Sequence, residues 1–263
     1  MREIFLQAGM LWQREIVRFL RQRSRVMSAI LTPLVFWLLL GSGLKASFKP
    51  SGMPSGADYV EYFYPGVIVL MLLFTAIFAT ASTVDDRRQG FLQGVMVAPV
   101  SRTTIVLGQA LGCTTLALMQ GVVFLALAPL AGIWPGVEAI VASAAMMAVI
   151  AFAMTSMGLA LAWRIESTQG FHAIMNLLLL PIWMLSGAVF PLTGAPGWLR
   201  WTTLMNPLTY AVTALRHGLY LGEPSAAGAA MAMPIGSSVA IAIAFAALAF
   251  AMAARVAERA STI

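Results

Sequence analysis

The sequence predicts an all-α membrane protein with six transmembrane helices, and three observations support that prediction. Hydrophobic residues make up 60% of the 263-residue chain and charged residues only 10%, whereas soluble domains average about 25% charged residues. The mean hydropathy of +0.86 leaves too little polar sequence to cover one water-soluble core. Six apolar stretches have the length of roughly 20 residues that crosses a bilayer as a helix.

The six predicted spans cover residues 26–44, 63–83, 104–128, 139–162, 171–189 and 234–254. They lack the period-two alternation of barrel strands and are too long for such strands, so we predict helices. This composition excludes a soluble globular enzyme, a disordered chain and a nucleic-acid-binding protein. The expected organisation is an N-terminal segment 1–25, a transmembrane domain 26–254 and a tail 255–263.

The charges predict the orientation of these spans. With both termini in the cytoplasm, the inner segments hold twelve arginines and six acids, and the outer segments hold four basic and four acidic residues. The inner face then carries the whole net charge of +6, as the positive-inside rule expects. The tyrosines all fall in or beside the predicted outer loops, as in an interfacial aromatic belt: Tyr59, Tyr62, Tyr64, Tyr210 and Tyr220.

Residues 1–25 are predicted to form an amphipathic helix lying in the cytoplasmic interface. One apolar stripe recurs at helical spacing, formed by Ile4, Ala8, Leu11, Trp12, Ile16, Phe19 and Leu20, and four arginines share the opposite side: Arg14, Arg18, Arg21 and Arg25. Such a helix is expected to turn its apolar side to lipid and its arginines to anionic headgroups. The pattern fits either a simple anchor or a surface that also contacts a cytoplasmic partner.

The loop between the second and third spans, residues 85–102, is the most informative polar stretch. Polar ends flank a short apolar centre made of Phe91, Leu92, Val95, Met96 and Val97, and Pro99 ends any helix there. A short amphipathic helix in this place has no evident core of its own to cover. We therefore predict that it lies on the bilayer or docks into a groove of another protein. Ser101 is expected to cap the third span.

Three further features concern packing and helix ends. Gly108 and Gly112 form a GxxxG pattern in the third span, which allows close approach of another helix. Pro181 is predicted to kink the fifth span. After that span, Asn206 as cap and Pro207 as first residue predict a helix start.

The region of about 190–217 is accordingly predicted to hold two short half-helices that dip into the outer leaflet instead of crossing it. Its expected boundary and interfacial residues are Pro191, Trp198, Trp201, Asn206, Pro207 and Tyr210.

Several kinds of chemistry are absent from the sequence. A P-loop requires Gly-Lys before Ser or Thr, but the only lysines, Lys45 and Lys49, follow Leu44 and Phe48. The single cysteine, Cys113, and the two histidines, His172 and His217, have no second metal ligand at helical spacing. We therefore expect no catalytic residue, metal site or bound cofactor. The span interiors also lack ionisable residues, so the energy for any transport is expected to come from outside the chain.

Two stretches of the sequence resemble the ABC-2 type permeases, the membrane subunits of ATP-binding-cassette exporters. They are DDRRQGFLQGVMVAPVSR and LSGAVFPLTGAPGWLRWTTLMNPLTYAVTALRHGL, and the similarity covers essentially the whole chain. In the first stretch the residues that match the family pattern are Asp86, Arg87, Gly90, Leu92, Pro99, Ser101 and Arg102. Arg88 and Gln93 stand where acids are common, and Phe91 replaces the usual threonine.

The resemblance implies that residues 85–102 form a coupling helix seated in a cleft of a separate nucleotide-binding subunit. The residues expected to take part are Asp86, Arg87, Gly90, Phe91, Leu92, Val95, Met96, Pro99 and Arg102. It implies that residues 1–25 form an interface helix beside that subunit and that the re-entrant helices lie near the exit. It also implies a homodimer with two ATPases that bind ATP and magnesium, in a prokaryotic inner membrane.

The predicted function is therefore that of an export permease. The strongly apolar spans favour a hydrophobic or amphipathic cargo, such as a drug or lipid, over the alternative of a polysaccharide or lipo-oligosaccharide. A second class is an integral-membrane enzyme acting on lipids, for which the only candidate polar cluster is Asp85 and Asp86 with Arg87 and Arg88. A third is a channel-like or structural scaffold.

Overall fold

The computed structural model describes residues 2–21, 59–92, 100–190, 195–222 and 233–259, with residues 94 and 192 and scattered positions between 27 and 43. These residues form helices and their connections without a β-strand, which confirms the all-α prediction. Among the described residues, five helices are long and apolar enough to cross a membrane: Tyr59–Arg88, Arg102–Ala126, Val137–Ala162, Thr168–Ala188 and Ile235–Arg259. The first predicted span, 26–44, lies mostly outside the described residues.

The helices are numbered here in chain order. They are α1 (Arg2–Arg21), α2 (Tyr59–Ala79), α3 (Ala81–Arg88), α4 (Arg102–Ala126), α5 (Val137–Ala162), α6 (Thr168–Trp183), α7 (Gly197–Met205), α8 (Pro207–Leu219) and α9 (Ile235–Arg259). A short 3-10 helix, Ala128–Ala131, follows α4, and a π-helical turn, Met184–Ala188, follows α6. Helices α2 and α3 together make one 30-residue span.

Helix α2 lies at the centre of the bundle. Most of its apolar side chains are buried, and Phe63 and Leu72 are completely so. Helices α4 and α5 pack along it, and α9 packs on the outside against α5 and α8. Trp37, from the first predicted span, is 6% exposed and meets Tyr64 of α2 edge-on at 5.5 Å between ring centres. The central position of α2 makes it the element through which the two ends of the bundle are connected.

The helix starts follow the capping signals in the sequence. Ser101 accepts a hydrogen bond from the backbone N–H of Thr104 at 3.1 Å, and α4 begins at the next residue, Arg102. Asn206 accepts from the backbone N–H of Leu208 at 3.0 Å, and Pro207 is the first residue of α8. Both predicted caps are therefore confirmed.

A missing hydrogen bond in α2 and a non-helical residue after α6 lie where α2, α6 and α8 meet, at the end of the bundle opposite α1. Pro65 inside α2 has no N–H for the carbonyl of Glu61, and the Tyr220 hydroxyl donates to that carbonyl at 2.7 Å. After Pro181, α6 continues to Trp183, and the non-helical residue is Gly187, with φ of +72°. The backbone leaves helical geometry at Gly187, six residues after Pro181, where a glycine tolerates the left-handed conformation. The kink expected at Pro181 stays a prediction.

Helix α1 packs along the first half of α4. A Cβ on Gly108 would lie 2.9 Å from the carbonyl oxygen of Ala8, and one on Gly112 would lie 2.8 Å from Cβ of Glu15. The GxxxG pattern therefore admits the N-terminal helix. We call the end of the bundle where α1, α3 and the first turn of α4 meet the α1 face.

These close contacts predict that Gly108→Ala pushes α1 away from α4, because the new methyl group meets backbone that cannot turn aside. We expect a loss of about 1–3 kcal/mol, as for other overpacked sites, measured as a lower apparent melting temperature in detergent. The matched control is Gly9→Ala in α1, where nothing lies within 4 Å of the new Cβ. That variant should be neutral or more stable, since alanine favours the helix. Equal melting temperatures for both variants would contradict the packing argument.

Candidate functional site at the α1 face

A buried carboxylate organises the α1 face. Asp86 lies in the last turn of α3 and is 1% exposed. Arg14 donates to both of its oxygens, from Nη1 to Oδ2 at 2.7 Å and from Nη2 to Oδ1 at 2.8 Å. Arg18 donates to Oδ1 at 2.8 Å. Charge-assisted contacts of this two-pronged kind are strong and directional, so Asp86 attaches α1 to the end of the central span.

The expectation that Arg14 and Arg18 face lipid headgroups is wrong. Their side chains keep only 31% and 27% of their exposure, because a buried carboxylate requires opposite charge around it. Their i, i+4 spacing does place them on one side of α1, but that side faces the protein. Arg21 is exposed, and Arg25 lies outside the described residues.

Glu15, next to Arg14, is also buried, at 4% exposure. Burial raises the pKa of its carboxyl above the usual 4.5. The Ser82 oxygen lies 3.0 Å from Glu15 Oε2 and 2.8 Å from the carbonyl of Ala79, and its one hydrogen serves only one of them. Arg14 also donates from Nη1 to Glu15 Oε1 at 3.2 Å. The contacts with Ser82 and Arg14 lower the pKa, but burial raises it by more.

The residues on either side of Asp86 attach α3 to two more elements. Arg87 donates from Nη1 to the carbonyls of Trp163 at 2.7 Å and Ala162 at 3.0 Å, at the C-terminal end of α5, where cations are favoured. Asp85 accepts from the Thr168 hydroxyl at 2.6 Å at the start of α6. Three consecutive side chains thus connect α3 with α6, α1 and α5.

These contacts bear on two predictions. Asp86 and Arg87 both bind groups of this chain, and their part in coupling to a separate subunit stays a prediction. The same contacts engage the carboxylates of Asp85 and Asp86, the cluster on which an integral-membrane enzyme would depend. Among the described residues, no three His, Cys, Asp or Glu side chains are placed to hold a metal ion.

Gly90 turns the chain after α3. Its φ is +76°, a left-handed conformation that suits glycine at the end of a helix, and its N–H donates to the carbonyl of Arg87 at 3.2 Å. Beyond this turn, Leu92 is 1% exposed and packs with Ile105, Val106, Ala110, Leu159, Ala160, Trp163, Ala253, Val256 and Ala257. The interpretation that this segment has no core of its own to cover is therefore wrong for Leu92.

Phe91 takes the opposite direction and remains 38% exposed. The guanidinium carbon of Arg14 lies 3.9 Å from the centre of its ring, a cation–π contact that helps to fix the orientation of the ring. Arg88, Gln89 and Gly94 are exposed beside it. We call Arg88, Gln89, Phe91 and Gly94 the exposed turn.

Other predicted coupling residues fall in two groups. Arg102 donates to the carbonyl of Ala257 near the end of α9 at 3.1 Å, so it also binds within the chain. Val95, Met96 and Pro99, together with Gln93, lie outside the described residues.

The opposite end of the bundle holds the two short helices α7 and α8. Their 9 and 13 residues are fewer than a membrane crossing needs. Trp198 and Trp201 are 68% and 70% exposed, whereas Asn206 donates from Nδ2 to the carbonyl of Ile182 at 2.6 Å and Tyr210 donates to the carbonyl of Leu204 at 3.0 Å. The placement of these helices in the outer leaflet stays a prediction, and Pro191 lies outside the described residues.

The sequence interpretation missed two buried charged residues. Glu15 could have been noticed because it shares a helical row with Ala8 and Phe19, so an acid interrupts an apolar row. Arg216 was counted as an outer-loop charge, yet it is 4% exposed, with its guanidinium carbon 4.2 Å from the centre of the Tyr62 ring. The apolar residues around Arg216 in α8 were the feature of the sequence that could have indicated its burial.

The sequence of this chain is similar to those of known transport proteins. The sequence model of a family described as "ABC-2 type transporter" matches residues 6–220. The "Putative transport permease ycf38" of Cyanophora paradoxa is 28% identical over 208 residues, covering 78% of this chain and 71% of the relative. The "Probable multidrug ABC transporter permease YbhR" of Escherichia coli is 25% identical, covering 64% and 46%. "Nodulation protein J" of Rhizobium meliloti is 25% identical, covering 76% of each chain.

Removing the charge of Asp86 should detach α1 from α3. In Asp86→Asn the two arginines lose their counter-charge, and because both are partly exposed and can recover some hydration, we expect a loss of about 1–3 kcal/mol. The measurement is the apparent melting temperature of the purified protein in detergent. An unchanged temperature would mean that the ion pairs do not hold α1.

Glu15→Gln is the matched control and should have the opposite sign. Because the pKa of Glu15 is raised, its ionisation in the folded protein costs free energy once the pH exceeds the usual value of 4.5. The stability gained by Glu15→Gln is therefore absent below pH 4.5 and reaches its full value above the raised pKa. We expect Glu15→Gln to melt at or above the wild-type temperature at pH 7.5. A loss as large as that of Asp86→Asn would contradict this.

Proposed function

This chain belongs to the ABC-2 type transporter family, and we propose that it is the membrane-spanning permease subunit of an exporter powered by a separate ATPase. The sequence contains no P-loop lysine of its own, so a partner must hydrolyse the nucleotide. ATP and magnesium would be bound by that partner, and this chain would carry no cofactor. Coupling between the two subunits then requires a contact that transmits movement.

The observation that carries the proposal is the rigid mounting of the exposed turn. The exposed side chains of this turn, Arg88, Gln89 and Phe91, take no part in the contacts that bury Asp86 and Leu92. The neighbouring Asp86 and Leu92 are both 1% exposed and are held within the bundle. A force applied to the Phe91 ring is therefore passed on to the protein without first unfolding the segment. We propose that this turn seats in a cleft of the ATPase.

The contacts of α3 suggest the route of that force. Displacement of the exposed turn would move α1 through the Arg14 and Arg18 bonds to Asp86, and would move the ends of α5 and α6 through Arg87 and Asp85. Because α2 and α3 form one span, the same displacement would reach the opposite face through the central helix. Closure of two ATPase subunits would then rock the spans and alternate the access of a pathway.

The assembly that fits this mechanism is a homodimer of permeases with two ATPases in a prokaryotic inner membrane. Both termini would face the cytoplasm, which places the exposed turn beside the ATPase. Helix α1 would act as the interface helix along the membrane surface: Leu6, Met10 and Val17 form an apolar row that is 60%, 65% and 41% exposed, as a helix in the interfacial plane requires. Helices α7 and α8 would form the outer re-entrant pair.

The proposed cargo is hydrophobic or amphipathic. The central turns of the described spans are apolar, with neutral polar groups such as Gln120 and Thr155, a composition that suits lipid-like molecules better than a long glycan. Direction of transport is proposed as export because the resemblance is to exporters. Export of a polysaccharide or lipo-oligosaccharide is the alternative within the same family.

Neighbouring variants separate docking from folding. Phe91→Ala removes an exposed ring and its cation–π contact with Arg14, so it should cost at most about 0.5–1 kcal/mol of stability. It should lower ATP-driven transport by about tenfold, as at a docking hot spot. Leu92→Ala removes a buried side chain and should lower stability by about 2–4 kcal/mol. The measurements are detergent melting and ATP hydrolysis and transport in liposomes with the cognate ATPase. Full coupling in Phe91→Ala would disprove the docking role.

Labelling of single cysteines tests the orientation. In a Cys113→Ala background, Gln89→Cys should react with a membrane-impermeant maleimide only after the cytoplasmic side is opened. The control is Trp134→Cys, because Trp134 is 74% exposed in the connection between α4 and α5, at the opposite end; it should react in intact cells. The reverse pattern would place the exposed turn outside and remove the proposed coupling.

A further inference from the structure

The arginine in the last turn of α8 has weak partners. Arg216 is 4% exposed. Its Nη2 donates to the carbonyl of Tyr62 at 3.3 Å and to that of Gly187 at 3.5 Å, both longer than ordinary N–H···O bonds of about 2.7–3.2 Å. Its Nε is buried and has no hydrogen-bond partner. A guanidinium has five N–H donors, and within the described residues only Nη2 has acceptors, both at long distances.

The described residues place no counter-ion beside this charge. In the described ranges, no carboxylate lies within 4.0 Å of the Arg216 guanidinium, whereas Arg14 at the α1 face binds both oxygens of Asp86. Glu61, one residue before Tyr62, extends its Oε1 toward Gly132 in the connection between α4 and α5. Burying a charge without an opposite charge is costly. The Tyr62 ring, 4.2 Å from the guanidinium carbon, offsets only part of that cost.

Exposed apolar side chains flank, in sequence, the carbonyl of Gly187 that Arg216 contacts. Gly187 lies at the break after α6, where the backbone has left the helix. Met184 and Phe190 lie three residues to either side of it, and each is 42% exposed. The carbonyl of Gly187 also accepts from the Tyr62 hydroxyl at 2.8 Å, so it keeps a partner if Arg216 moves away from it.

We propose that Arg216 binds a phosphate-like oxyanion that is the head group of an amphiphile, whose tail lies along Met184 and Phe190. An oxyanion would replace the two long contacts with the carbonyls of Tyr62 and Gly187. It would accept two parallel hydrogen bonds from the guanidinium. Reading this amphiphile as cargo leaving the protein rests on the proposed function. The binding site itself does not, because it is defined on this chain alone.

The test uses dodecyl phosphate as the probe, added to the purified chain in a neutral maltoside detergent. Binding is measured as the concentration-dependent rise in apparent melting temperature. Dodecyltrimethylammonium, with the same tail and a cationic head, controls for the tail. Inorganic phosphate, with the same head and no tail, distinguishes a free anion from an amphiphile.

We expect dodecyl phosphate to stabilise the wild-type protein and the other two probes to do so weakly or not at all. Arg216→Gln should weaken dodecyl phosphate binding by about tenfold or more, since it removes the charge and the fork. Arg216→Lys should lie between, because it keeps the charge without the planar fork. Arg200→Gln, which removes an exposed arginine of α7, should bind like the wild type.

Several outcomes would overturn the proposal. Unchanged binding in Arg216→Gln, or equal losses in Arg216→Gln and Arg200→Gln, would assign the effect to general surface charge. Inorganic phosphate acting as well as dodecyl phosphate would exclude an amphiphile. Equal stabilisation by dodecyltrimethylammonium would show that only the tail binds.

A second measurement covers the case in which Arg216→Gln fails to fold because its carbonyl contacts are lost. Hydrogen exchange of the wild-type protein with and without dodecyl phosphate should show new protection in residues 184–190 and at the end of α8. Protection confined to the α1 face, with its arginines, would overturn the proposal. Neither measurement includes an ATPase, so a failure of the proposed function would leave these results unaffected.

Discussion

The structure depends above all on the burial of one carboxylate at the end of its central span. Asp86 has almost no contact with solvent, and an ionised acid in that position is tolerated only when opposite charge and hydrogen-bond donors surround it. Arg14 and Arg18 supply both. This requirement turns α1 from a separate amphipathic helix into part of the bundle. Gly108 and Gly112 make the same docking possible sterically, because side chains at those positions would hold the two helices apart.

The central span is anchored by different chemistry at its two ends. At the α1 face, α3 is held by ion pairs and by Arg87 on the C-terminal carbonyls of α5. At the opposite face, the shorter contacts of α2 come from neutral groups: the Tyr220 hydroxyl binds the carbonyl that Pro65 leaves free at 2.7 Å, and Trp183 donates to the carbonyl of Gly66 at 2.8 Å, whereas Arg216 makes only the longer contact with Tyr62. A helix held firmly at both ends can pass a displacement along its axis. This property links the proposed coupling site with the region around Arg216.

Residues of similar character in the sequence have different roles in the structure. Phe91 and Leu92 are adjacent apolar residues, but the left-handed turn at Gly90 sends one outward over Arg14 and the other into the core. Arg87 and Arg88 differ in the same manner, since only Arg87 reaches the end of α5. Periodicity assigns such residues to a segment; it does not say which of them remains available to a partner, because that depends on helices distant in sequence.

The sequence by itself determined the features governed by local chemistry and by the solvent. Long apolar runs require helices in lipid, Ser101 and Asn206 cap helices through their own neighbours, and small residues at 108 and 112 permit close approach. Only the tertiary structure decided which side of α1 faces protein and why an acid at position 86 is buried. The physical reason is that charge compensation and packing are long-range: Arg14 and Asp86 are separated by 72 residues, and no local pattern contains both.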